Sequence, residues 1–171
     1  MVKKAVLVLP KWGFDSQTYL IVNGTLDDRG IAVFTGSSTL EACVGQDGLV
    51  AKPDLRLVDI KGADWDAIIF LDGPGSSEYW NDSTAHTLCQ VAWAADRIVG
   101  AVGSAVVTLA NSGILADLLV ASGPSWADLV SAKGGTVSDR AVEVDGNLVT
   151  AADNFAAQAF AATIVDLLTK Q

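Results

Sequence analysis

The feature that most constrains this chain is a set of short segments made almost wholly of apolar residues, Ala5 to Leu9, Ile31 to Phe34, Ala67 to Leu71 and Ile98 to Val102. A strand with one wet face alternates apolar and polar residues, whereas one that is apolar throughout must be covered on both faces, as in a parallel sheet between helix layers. The intervening sequence carries the helical period. Within Ser83 to Asp96, Leu88, Val91, Ala92 and Ala95 fall at the i, i+3, i+4, i+7 spacing of one helix face, and Phe160, Ile164, Leu167 and Leu168 do the same near the end. Val142 to Val149 alternates around Asp145-Gly146, the strongest short hairpin signal. The expected fold is α/β: a single doubly wound, mostly parallel sheet in three layers, decorated by a C-terminal β-hairpin.

No composition shift, linker or repeat divides the 171 residues, so residues 1–171 read as a single domain. Eleven Lys and Arg stand against twenty Asp and Glu with no basic run, which removes the electrostatic footprint that binding a phosphate backbone requires. Nucleic acid is excluded as an expected partner. Val99 to Ala110, the longest apolar stretch, is broken by Gly, Ser and Thr and is shorter than the ~18 residues of a membrane span. The start Met1-Val2-Lys3-Lys4 is followed by too few apolar residues for a secretory leader, so a cytoplasmic, soluble protein is expected. Cys43 and Cys89 have no CxxC spacing, so they read as idle buried thiols. Neither GxGxxG nor GxxxxGK[ST] follows a strand, and no cofactor is expected.

Doubly wound sheets bind ligands at the carboxyl ends of their strands, near the point where strand order reverses. That directs attention to the loops after Leu9, Leu71 and Val102: Pro10-Lys11-Trp12-Gly13-Phe14-Asp15-Ser16-Gln17-Thr18, Asp72-Gly73-Pro74-Gly75-Ser76-Ser77-Glu78 and Gly103-Ser104-Ala105. With the Lys-Lys-Ala-Val-Leu-Val-Leu start, Asp66-Ala67-Ile68-Ile69-Phe70, Ser112-Gly113-Ile114-Leu115 and Asp145-Gly146-Asn147-Leu148-Val149-Thr150, the chain resembles the ThiJ/PfpI (DJ-one) superfamily over nearly its whole length. The resemblance implies a flavodoxin-like three-layer sandwich and a homodimer. It also implies a cleft in which a Cys nucleophile stands on a strand-to-helix elbow, helped by a Glu and often a His. On this sequence the Cys position falls on Gly103, the Glu on Thr18 and the His on Gly123. Gly73 matches a glycine whose N–H helps form the family's oxyanion hole, but the residue before it, usually another Gly, is Asp72. A carboxylate there opposes the negative charge of an acyl-transfer intermediate, while Gly at the elbow relieves the strain that a nucleophile must tolerate.

The remaining candidates each have two readings. Ser104 is a substitute nucleophile if a base adjoins it, or else the N-cap of the next helix. Asp15 is a pocket carboxylate or a helix cap, and Asp72 is a functional carboxylate or a solvated turn residue. His86, the only histidine, falls opposite the apolar stripe and reads as a surface residue. Trp93 shares that outward face and reads as an exposed contact, Trp12 as a wall of the pocket, and Trp65, Trp80 and Trp126 as core. Loss of the Cys side chain is expected to leave extra room in the cleft.

The expected function is that of a ThiJ/PfpI-like domain without Cys-based catalysis, which binds a small molecule or a partner. With Asp15 and Asp72 near an emptied elbow and Lys11 the only nearby cation, a neutral polar or cationic ligand is favoured over an anion. Two rivals stay open: a hydrolase or lyase using Ser104 or the carboxylates, and a stress-related, chaperone-like protein.

Overall fold

The computed structural model describes residues 1–170. Its main sheet contains β1 (Lys4–Val8), β3 (Ala32–Ser37), β6 (Leu55–Arg56), β7 (Ala67–Phe70), β8 (Ile98–Val102), β11 (Val142–Asp145) and β12 (Leu148–Ala151). A three-stranded sheet of β2 (Trp12–Phe14), β4 (Cys43–Gly45) and β5 (Val50–Ala51) and a pair, β9 (Leu119–Ala121) and β10 (Thr136–Ser138), lie beside it. The helices are α1 (Ser16–Asp28), α2 (Ser83–Ala94), α3 (Val106–Ser112), α4 (Pro124–Ala132) and α5 (Ala157–Lys170).

The four apolar runs form β1, β3, β7 and β8, all parallel neighbours in the order β11-β12-β8-β7-β1-β3-β6. Alternate residues of the same strands enter two different cores. Val6, Val8, Ile68, Phe70, Val99 and Ala101 pack with residues of α2 and α3, while Ala5, Leu7, Ala67, Ile69, Ile98 and Val102 pack with residues of α1 and α5. That double burial is why β1, β7 and β8 are apolar throughout, whereas β3 departs from the expectation: Phe34 is 36% exposed and packs edge to face with Trp65. The Asp145-Gly146 hairpin forms as expected, with Gly146 at φ +59°, and it is a working part of the sheet because β12 pairs parallel with β8. From β1 the chain crosses to β3 on one side and β7 on the other, which places the reversal of strand order at the carboxyl ends of β1 and β7.

Two expectations about α2 are corrected. Its buried face is Ala85, Leu88, Cys89 and Ala92, and Val91 is 42% exposed. Trp93 is not an exposed contact: its indole is half-buried and packs against the α2/α3 core. The inner face of α2 packs on α3 and the strands, and the turn at Gly62 closes over it so tightly that a Cβ would meet the Leu88 carbonyl oxygen and the Ala92 nitrogen at 2.9 Å. No described helix is long and apolar enough to cross a membrane.

Candidate functional site

A cleft of about 490 Å³ opens at the carboxyl ends of β1, β7, β8 and β12, within the range typical of small-molecule sites. Asp15, Asp72, Gly73, Gly103, Ser104 and Gly123 all line it, so three loops singled out in the sequence do converge. Trp12 does not. Pairing of β2 with β4 leaves its indole 61% exposed, and it lines a separate concavity with Ala42, Val44 and Glu78. Thr18 lies buried in α1, behind the cleft and close to the Asp72 carboxyl. Lys11 pairs with Glu41 at 3.2 Å and is not a cleft residue.

The loops after β1 and β7 touch backbone to backbone. The Asp15 amide donates to the Asp72 carbonyl at 2.9 Å, and a Cβ on Gly73, at φ +125°, would stand 2.7 Å from the Asp15 nitrogen. Only glycine fits there, and the contact ties the first turn of α1 to the strand end that carries Asp72. Asp15 caps α1 with Oδ1, which accepts from the Thr18 amide at 2.9 Å, and its Oδ2 accepts from Asn154 Nδ2 at 3.4 Å. It is therefore both cap and cleft carboxylate.

Gly103 keeps the left-handed backbone of the elbow, φ +56°. The position of its missing Cβ lies 3.1 Å from both Cβ and Oδ2 of Asp72. The carboxylate thus stands in the space beside the elbow, and the extra room expected from the missing side chain is not there. Nor is Asp72 a solvated turn residue: it is only 8% exposed, and Oδ1 has no hydrogen-bond partner. Burial, reinforced by the negative charges of Asp15 and Asp153, pushes its carboxyl up to about 7. The nearby Thr18 hydroxyl offsets a part of that rise, although Thr18 Oγ1 also lacks a partner at hydrogen-bonding geometry.

Ser104 caps no helix, since α3 starts after Ala105 without a side-chain cap. Its hydroxyl instead meets Ser76 Oγ at 2.7 Å and donates to the Gly73 carbonyl at 3.3 Å, inside the cleft but with no base beside it. His86 is no free surface histidine: its Nε2 lies 2.9 Å from the Trp80 carbonyl, which also accepts from Asn111 Nδ2 at 2.8 Å. A carbonyl only accepts, so Nε2 carries the proton and the ring serves as a peg under Trp80. Burial pushes the Cys43 thiol up and the Cys89 thiol to about 12, so both stay protonated and inert.

Residues that the sequence reading left out complete the cleft. Trp80 and Trp126, expected in the core, do pack against it but also form one wall, edge to face with ring centroids 5.2 Å apart. Trp80 Nε1 donates to the Ser104 carbonyl at 3.1 Å, which fixes that ring. Gln46, Asp153 and Asn154 also line the cleft. The signal for the last two was available, because they follow β12, another parallel strand of the same sheet.

An open parallel sheet with a cleft at its switch point and a left-handed elbow after β8 defines a class of flavodoxin-like α/β proteins, and comparison with known proteins places the chain within it. The chain belongs to the DJ-1/PfpI family, whose profile matches residues 3–167. It is 27% identical over 170 residues to an uncharacterized protein of Methanocaldococcus jannaschii, covering 98% of this chain and 83% of that one. Its fold superposes on the crystal structure of a ThiJ/PfpI domain protein from Brachyspira murdochii with a TM-score of 0.96 at 24% identity, over 99% and 98% of the two chains. Drosophila melanogaster DJ-1beta gives a TM-score of 0.91 at 24% identity, over 100% of this chain and 92% of the other.

Proposed function

We propose that this chain binds a small neutral polar or cationic molecule in the cleft and performs no covalent catalysis there. The observation that carries the reading is Asp72, whose carboxyl stands beside Gly103 where a nucleophile's side chain would project. Ser104 lacks an activating base, both thiols are buried away from the cleft, and the carboxylate opposes any oxyanion next to Gly73. A thermal-shift screen tests this, since a ligand that binds only the folded state stabilises it. Neutral polar compounds or amines should raise the melting temperature and carboxylates or phosphates should not. Stabilisation by anions alone would overturn the reading.

A second reading rests on one observation: a carboxyl raised to about 7 in a cleft suits a general acid or base. On that reading Asp72 moves a proton in a hydrolase or lyase reaction, turnover follows a pH profile bending near 7, and Asp72→Asn abolishes it. Turnover that survives Asp72→Asn excludes this alternative. We also infer that the chain pairs with a second copy, as the family resemblance implies. Light scattering at micromolar concentration should give twice 17.7 kDa, and a monomer mass would refute the pairing.

A further inference from the structure

We propose that the ligand of this cleft is an organic cation, with its ammonium head on Asp72 and its apolar body against the Trp80–Trp126 wall. The inference rests on the binding reading above and narrows it to one chemical class.

Three observations carry it. First, Asp72 lines the cleft, is more than nine-tenths buried, and holds its Oδ2 beside the elbow, 3.1 Å from where a Cβ on Gly103 would stand. A buried carboxylate is costly in its charged form, and a donor that brings a positive charge offsets that cost. Second, the charge around it has one sign. Asp15 stands beside Asp72 and Asp153 at the rim, while no Lys, Arg or His is among the described residues lining the cleft. An anion would enter against three carboxylates with no counter-charge, whereas a cation is attracted by all of them.

Third, the wall facing this chemistry is aromatic. Trp80 spends its N–H on the Ser104 carbonyl, so what it can offer a ligand is ring carbon. Indole is the best of the side-chain partners for an organic ammonium, through both cation–π attraction and apolar contact. The same wall separates an organic cation from a metal ion, which would need several oxygen ligands brought together. Among the described residues no group of three His, Cys, Asp or Glu is arranged to hold a metal ion.

The test uses the full chain and three probes of one shape: benzylamine, benzyl alcohol and benzoate. Each is titrated at pH 8 into isotope-labelled protein while the indole N–H signals of Trp80 and Trp126 and the amides of Gly73 and Gly103 are followed by NMR. Benzylamine should shift these signals and bind at least about tenfold tighter than benzyl alcohol, with benzoate causing no shift. Asp72→Asn should remove that tenfold preference and leave benzyl alcohol unchanged. Asp15→Asn, which keeps a capping side chain, should weaken benzylamine in the same direction, so the inference stays testable if Asp72→Asn fails to fold. If benzyl alcohol binds as tightly as benzylamine, or neither carboxylate variant alters the preference, the cation inference fails while the binding reading stands. If benzoate binds best, both fail. If no probe shifts the cleft signals, the inference fails, and the screen of neutral polar compounds decides the broader reading.

Discussion

At the scale of single residues, Asp72 and Gly103 form one unit. The rise of the Asp72 carboxyl from 3.8 to about 7 means that the folded state holds a proton which the unfolded chain has already released. Its contribution to stability is therefore fully present below about pH 4 and is lost as pH rises through 7. The corresponding free energy is on the order of 4 kcal/mol. Asp72→Asn, which carries no ionisable group, should be more stable than the parent at pH 8, with the difference shrinking towards pH 4. Urea denaturation at several pH values measures this, and a variant less stable than the parent at pH 8 would contradict it. Gly103→Cys should destabilise by at least about 1–2 kcal/mol, the cost of a side chain in the left-handed region, with crowding against Asp72 added. In a double-mutant cycle with Asp72→Gly, part of that loss should be recovered, with a coupling of about 0.5–3 kcal/mol. Additive effects would show that the two positions do not share one space. The sequence placed a carboxylate at this strand end but not its burial, because depth depends on how closely the β1 and β7 loops meet at Gly73.

At the scale of elements, caps and helix faces decide how the cleft is held. Asp15 Oδ1 on the Thr18 amide predicts that Asp15→Ala costs about 1 kcal/mol while Asp15→Asn stays within a few tenths, measured by thermal unfolding. Equal losses in both would mean that the charge, not the cap, supports α1. The existence and order of the strands were legible because double burial leaves continuous apolar runs, and the hairpin was legible because Asp145-Gly146 favours that turn. The face of α2 was not. Ala85, Leu88, Cys89 and Ala92 match the same period as Leu88, Val91, Ala92 and Ala95, and packing against α3, the strands and the Gly62 turn chooses between them. Ser104 shows the same limit: a serine ahead of a helix is read as a cap, yet its hydroxyl spans to the Gly73–Ser76 turn.

At the scale of the whole molecule, the cleft joins segments more than a hundred residues apart, as the Asp15–Asn154 hydrogen bond shows. The loops at strand ends could be found from sequence because sheet topology puts them together. Gln46 and Trp126 could not, since they enter from the side sheet and from α4, whose positions follow from packing, and Trp80 ends the turn after β7, just past the loop that could be located. With both cysteines buried and no thiol at the elbow, glyoxalase, deglycase or amidase turnover that iodoacetamide abolishes is not expected. Such turnover would return the chain to Cys-based chemistry. The most direct test of the proposed carboxylate-lined binding cleft is a carbon-13 NMR titration of the Asp72 side chain, with and without benzylamine. The account predicts a midpoint near 7 in the free protein, falling when the amine binds because a neighbouring cation favours the charged carboxylate. A midpoint near the ordinary 3.8, unmoved by the amine, would contradict it.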